Sequence, residues 1–230
     1  MQSTSEDTPA PAISAISAIG QRHAALLARL TIAGTLLYVV LDVIAQVLPP
    51  HYSPISQAES DLAVGPYGYV MTINFVIRGL LGLAVLWALV ESAAKEGVSR
   101  FGLITVGIWS VGALLLALFP TDLAGQTPTL HGILHLTIAL LAFLGGAIGE
   151  LLLSLSFGRV QWLRSLKRLG VVISVLAIIA LLLLGSAARV HALQNVGGLI
   201  ERLFIGLVLL WMLVVALGIS TLRARTALRI

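Results

Sequence analysis

His131 and His135 stand four residues apart in TLHGILH, a spacing that sends both rings off one face of a helix. Two imidazoles so placed can hold one zinc ion, with His191, Asp122 or Asp61 as a third ligand. The spacing lacks the glutamate that sits between the histidines of the zinc-protease motif. A bis-histidine haem would need His191 on a facing helix. The simpler account puts His131 at the headgroup level and gives His135 a hydrogen bond to a neighbouring helix. Ser56, Ser60 and Asp61, in ISQAESDLA, raise hydrolase chemistry. Ser56 would be the nucleophile, or a zinc-bound water the attacker, with Asp61 or Asp122 as general base. No nucleophile-elbow pattern accompanies the serine. Ser53-Pro54 and Ser60-Asp61 serve equally well as turn and helix-cap residues.

Arg78 is the most expensive residue to place. It lies eleven positions after Tyr67 in an apolar run, which at ~1.5 Å per residue puts it about 16 Å deep, near a bilayer midplane. An arginine there must face the bundle interior and meet an acid or a carbonyl. Asp42 is the first candidate partner, followed by Glu201 and Asp122. Asn74 falls one turn above Arg78 on the same face. Arg202 supplies a second cation near the same side. These residues form either an ion pair that fixes helix packing or an anion-binding or proton-coupled cavity.

The elements that carry these groups are read from the apolar pattern. Of the 230 residues, 58% are hydrophobic and 10% charged, with a mean hydropathy of +1.02. No soluble core buries so much apolar surface under so little polar cover. Helices that satisfy their own backbone hydrogen bonds in lipid do. The expected fold is an all-α, polytopic transmembrane bundle of six helices. Their segments are about Leu27–Leu48, Tyr67–Val90, Phe101–Phe119, Leu130–Leu155, Leu169–Ala188 and Gly198–Leu222. Residues 1–20 read as an unstructured cytoplasmic tail, 21–222 as the membrane domain and 223–230 as a basic tail. Gly145 and Gly149 make a small-residue face for close helix packing, and Glu150 is expected to reach the interface or a loop arginine.

Eleven of the fourteen basic residues fall in the tails and alternate loops on one side and one, Arg189, on the other, while Arg78 and Arg202 lie within segments. The positive-inside rule then places both termini in the cytoplasm. It also explains the net charge of +4 and pI near 10 without nucleic acid. The absence of cysteine excludes disulfides and thiol chemistry. With this orientation His51, Ser56, Ser60, Asp61, Asp122, His131, His135, His191, Gln194, Asn195, Glu201 and Arg202 collect on the outer side.

The run HYSPISQAESDLAVGPYGY leading into INFVIRGL, then FPTD, TLHGILH and GGLIERL, resembles the family called domain of unknown function 998. The resemblance covers about Leu27 to Leu222. It implies a six-helix integral membrane protein of bacterial or archaeal type, in the plasma membrane. Ser53, Pro54, Ser56, Asp61, Gly79, Pro120, Asp122, His131, Glu201 and Arg202 occupy its motif-like positions. A more distant likeness, to transmembrane hydrolases related to alkaline ceramidases, rests on serine, aspartate and histidine content. Those proteins have seven helices and a differently placed histidine pair. The expected function is binding or moving a lipid headgroup or small polar or anionic solute through Arg78, Asn74, Asp42, Glu201 and Arg202. One alternative is a metal-assisted hydrolase of a lipid-like substrate, with zinc on His131, His135 and His191. The other is a structural subunit of a membrane complex.

Overall fold

The computed structural model describes residues 10–187, 190, 193 and 195–227, with side chains from 20 to 221 within those ranges. Within them six long helices follow in order: α1 (Ala10–Val47), α2 (Gly68–Ala93), α3 (Arg100–Leu116), α4 (Leu130–Ser156), α5 (Lys167–Ala187) and α6 (Gly197–Ala227). There is no strand among the described residues. Five of the helices are long and apolar enough to cross a membrane, and α3 is an apolar helix of 17 residues.

Proline placement explains where the helices stop. Every proline among the described residues lies in a connection or, for Pro11, in the first turn of α1, where a missing N–H costs nothing. Pro49 and Pro50 close α1, and Pro120 follows α3. With Pro11 tolerated in its first turn, α1 begins at Ala10, inside the stretch expected as an unstructured tail of residues 1–20. At the other end α6 runs on to Ala227, into the basic tail. Ser99 and Thr129 cap α3 and α4, accepting the backbone N–H groups of Gly102 and Gly132, each at 3.1 Å.

Each helix packs mainly on its neighbours in sequence, and α6 returns to α1, closing a ring. Contacts from α6 also reach α2, so these two helices form the inner wall. Close approach is bought with glycine on α4. A Cβ at Gly145 would stand 2.7 Å from the Thr105 carbonyl, and one at Gly149 2.7 Å from the Thr105 hydroxyl. The small-residue face expected from the sequence is thus the α3–α4 seam. The main core runs along the bundle through Val85, Leu89, Trp109, Phe143, Phe204 and Trp211. A smaller apolar cluster, including Ala45, Leu62, Met71, Phe75 and Leu116, sits under the loop between α1 and α2.

Candidate functional site

That first loop is not a surface turn. After His51, which turns the chain with a φ of 67°, residues 59–63 form a 3-10 turn that dips into the bundle. Glu59 and Leu62 are three apart, one face of a 3-10 turn, and both are buried. Leu62 joins the smaller apolar cluster while Glu59 reaches Arg78.

Arg78 is 2% exposed, as is Glu59, and its Nη1 lies 3.8 Å from Glu59 Oε2. The Phe75 and Trp109 rings each stand 5.1 Å from the guanidinium carbon, so aromatic faces enclose the cation. The Tyr38 hydroxyl donates to Glu59 Oε1. Asn74 Nδ2 donates to the Tyr38 carbonyl at 3.2 Å, and the Glu59 N–H donates to Glu201 Oε2 at 3.0 Å. Five atoms in this group are buried with no hydrogen-bond partner among the described residues: Arg78 Nε and Nη1, Glu59 Oε2, Asn74 Oδ1 and Asp42 Oδ1.

The partner of Arg78 is therefore Glu59, not Asp42, Glu201 or Asp122. Asp42 instead accepts from Gln46 Nε2, one turn along its own helix, at 2.6 Å. Glu201 holds the loop backbone, as above. Its neighbour Arg202 clasps the loop as well. Its Nη1 donates to the carbonyls of Pro54 and Gln57, both at 3.1 Å, and of Gly198 at 3.2 Å, while Nη2 meets the Tyr52 hydroxyl. Tyr52 passes its own hydrogen to the Ala58 carbonyl at 2.7 Å. Burial pushes its phenol up to about 12 against the opposing pull of Arg202, so it stays a donor. The Leu199 N–H adds a bond to the Ile55 carbonyl at 2.9 Å. Gly198 lets the α6 backbone meet Gln57 this closely, because any Cβ there would overlap the Gln57 carbonyl oxygen.

The other sequence candidates are dispersed. Ser56 is exposed, and its N–H faces Ser53 Oγ at 3.4 Å. Asp61 is half-buried on the 3-10 turn, and burial pushes its carboxyl up. Asp122 belongs to the start of α4: its Oδ2 accepts the Thr129 N–H at 2.7 Å and its Oδ1 the Thr129 hydroxyl at 2.8 Å. Those two bonds, the backbone one first, hold its carboxyl below the usual aspartate range. Its contribution to stability is then complete above the ordinary aspartate pKa of about 3.9 and is lost as pH falls through the lower folded value. The protection of the Thr129 amide, its exchange rate relative to the unfolded chain at the same pH, should accordingly fall on acidification below about pH 4 in the native chain. In Asp122→Ala that protection should be low at every pH.

The two histidines of TLHGILH separate. His135 is buried, its Nδ1 2.6 Å from the Phe119 carbonyl, whereas His131 is exposed with its ring 5.9 Å from Phe119. Among the described residues no group of three histidine, aspartate or glutamate side chains is arranged to hold a metal. His191, Gln194 and Arg189 lie outside the described residues. Glu150 reaches neither the interface nor a loop arginine: it is 1% exposed, with both carboxyl oxygens unpartnered among the described residues. A groove of about 360 Å³ between α3 and α4, along Gly107, Val111 and Ala142, is apolar and contains no member of the Arg78 cluster.

The family model described as "Protein of unknown function (DUF998)" matches residues 32–218. The chain belongs to this family. The DUF998 match takes in the first loop, Arg78, Glu150 and the Glu201–Arg202 pair, so every contact of the cluster lies within the family's own span. It is an integral membrane protein, as the long apolar helices require. No curated protein and no solved structure matches the chain.

The residues missed by sequence reasoning are Tyr38, Tyr52, Glu59, Phe75 and Trp109. For Glu59 a signal existed in its i, i+3 pairing with Leu62, the mark of a short turn with one buried face. The aromatic residues carry no such mark in an apolar helix.

Proposed function

We propose that all six helices cross a prokaryotic plasma membrane with both termini in the cytoplasm, and that the Arg78 cluster is an outward-side site binding or moving a lipid headgroup or small polar solute. The observation that supports this most is the half-used guanidinium. A buried charged donor left without a hydrogen bond costs upward of about 1–3 kcal/mol; Arg78 Nε and Nη1 have none, Nη1 meeting Glu59 Oε2 only as an ion pair at 3.8 Å. The acceptors Glu59 Oε2 and Asn74 Oδ1 are left open in the same cluster. A ligand that suits both sets carries an acceptor for Arg78 and a donor for Glu59 and Asn74. Because Glu59 already balances the charge of Arg78, a zwitterionic or neutral polar group fits better than a simple anion. The first loop covers the site, and the Glu201–Arg202 clasp holds that cover down.

Thermal unfolding of the purified protein in nanodiscs, with phosphoethanolamine, glycerol phosphate and glycerol as probes, tests the reading. Phosphoethanolamine should raise Tm in the native chain, and both Arg78→Lys and Asn74→Leu should abolish that rise while remaining folded. Equal, flat responses to all three probes would sink the assignment.

A further inference from the structure

Among the described residues, Glu150 is the one buried acid that the outer cluster does not use. It lies six residues before the end of α4 at Ser156, about 9 Å along the helix and in the other half of the bundle from the first loop. Both carboxyl oxygens are buried and unpartnered among the described residues. The faces turned toward α4 offer it no counter-charge. The buried residues of α3 are Gly102, Thr105, Val106, Trp109 and others without charge, and those of α5 are Gly170, Ile173, Ser174 and small apolar residues. On α6 the buried acid Glu201 sits ten positions, about 15 Å, outward of Trp211. The Arg78 side chain of α2 is committed to Glu59 and its aromatic walls.

An ionised carboxylate in such a place would have given up its hydration for nothing, a cost proteins avoid by keeping the group neutral. The geometry points to Glu150 as a proton-binding site, loaded in this closed arrangement and exchanging its proton with water at the inner end of α4. Loading is the transfer of one proton from hydronium to the carboxylate, giving the neutral acid and water, with no other reactant.

Two features make the site more than an isolated acid. Toward the inner end, one turn from Glu150 on the same face, Ser154 Oγ accepts from Trp211 Nε1 at 2.7 Å and lies 3.5 Å from Ser174 Oγ. These two hydroxyls, both fully buried, put polar groups in the seam of α4, α5 and α6 one turn from Glu150. Toward the outer end, one turn back from Glu150, Gly146 allows the Trp109 indole against α4, where a Cβ would stand 3.1 Å from the ring. The same indole walls Arg78. A change at Arg78 that moves Trp109 would therefore be felt next to Glu150.

Infrared spectroscopy of the protein in lipid at neutral pH, in H2O and again in D2O, tests this without any solute. The native chain should show the carbonyl band of a protonated, weakly hydrogen-bonded carboxylic acid. Glu150→Gln should lose that band and Glu150→Asp should shift it, while Glu96→Gln, an exposed control, should leave it in place. In D2O the band should move to lower frequency, as exchange of the proton with water requires. A band that survives Glu150→Gln overturns the proposal, and so does a band left unmoved in D2O. Failure of phosphoethanolamine to bind the outer cluster would leave this result untouched, since neither readout uses that ligand.

Discussion

Glu59→Ala should destabilise the folded protein by about 3–5 kcal/mol, the cost of leaving one member of a buried ion pair alone. The substitution strips Arg78 of its counter-charge and the Tyr38 hydroxyl of its acceptor in one step. Neither group can recover hydration, because Arg78 is 2% exposed and walled by Phe75 and Trp109. The pair itself need not be stabilising overall, since two charges must be desolvated to make it. The double variant Glu59→Leu with Arg78→Met should therefore recover most of the loss. Unfolding in mixed detergent micelles measures both, and a single-variant cost below about 1 kcal/mol would show that Arg78 finds compensation elsewhere. Recovery in the double variant also bears on function. It would mean that the bundle does not need Arg78 to fold, so the guanidinium is retained for what it binds.

The part of this site that is legible from sequence is the part governed by the membrane. An arginine in the middle of an apolar run is costly wherever it points, so the run alone marks Arg78 and, one turn away, Asn74 as buried. The helices are legible for the same reason. Each of the six apolar segments corresponds to one helix, with α3 ending at Leu116 where Phe119 was expected. The partner of Arg78 is not legible, because it comes from a loop. Loop conformation depends on what Arg202, Tyr52 and Glu201 do from 140 or more positions away in the case of α6, and no local pattern encodes that.

The histidine pair shows the limit of spacing rules. Residues at i and i+4 differ by about 40° in direction and 6 Å in height. At the N-terminal end of α4 this is enough to divide bundle from surroundings. His135 turns inward to the Phe119 carbonyl while His131, in the first turn, stays outside. Asp122 likewise looked like a chemical group but is consumed by the start of the helix, where the Thr129 N–H and hydroxyl need an acceptor.

Arg202→Lys should unfasten the first loop without unfolding the bundle. Arginine here works through its shape: one Nη1 serves three carbonyls while Nη2 serves Tyr52, a fan that a single ammonium on a flexible stem does not reproduce. Hydrogen bonds from charged donors are worth about 1.5–3 kcal/mol each, and they are not additive. The loss should therefore be about 3 kcal/mol of local opening free energy, or about a hundredfold faster amide exchange. It should appear at the Leu199 and Gln57 amides, whose acceptors are the Ile55 and Ser53 carbonyls. Tyr52→Phe removes the hydroxyl that accepts from Arg202 and donates to the Ala58 carbonyl but leaves the three Nη1 bonds, and should give about a tenfold increase, less than Arg202→Lys. Gly198→Ala reaches the same end by a different route, since its Cβ would push the Gln57 carbonyl away and keep the charge of Arg202 intact. If the loop is the cover of the Arg78 site, all three variants should let phosphoethanolamine associate faster, in the order of their exchange rates. Faster exchange with unchanged association would mean that the ligand enters from between the helices, and the first loop would then be a fixed plug.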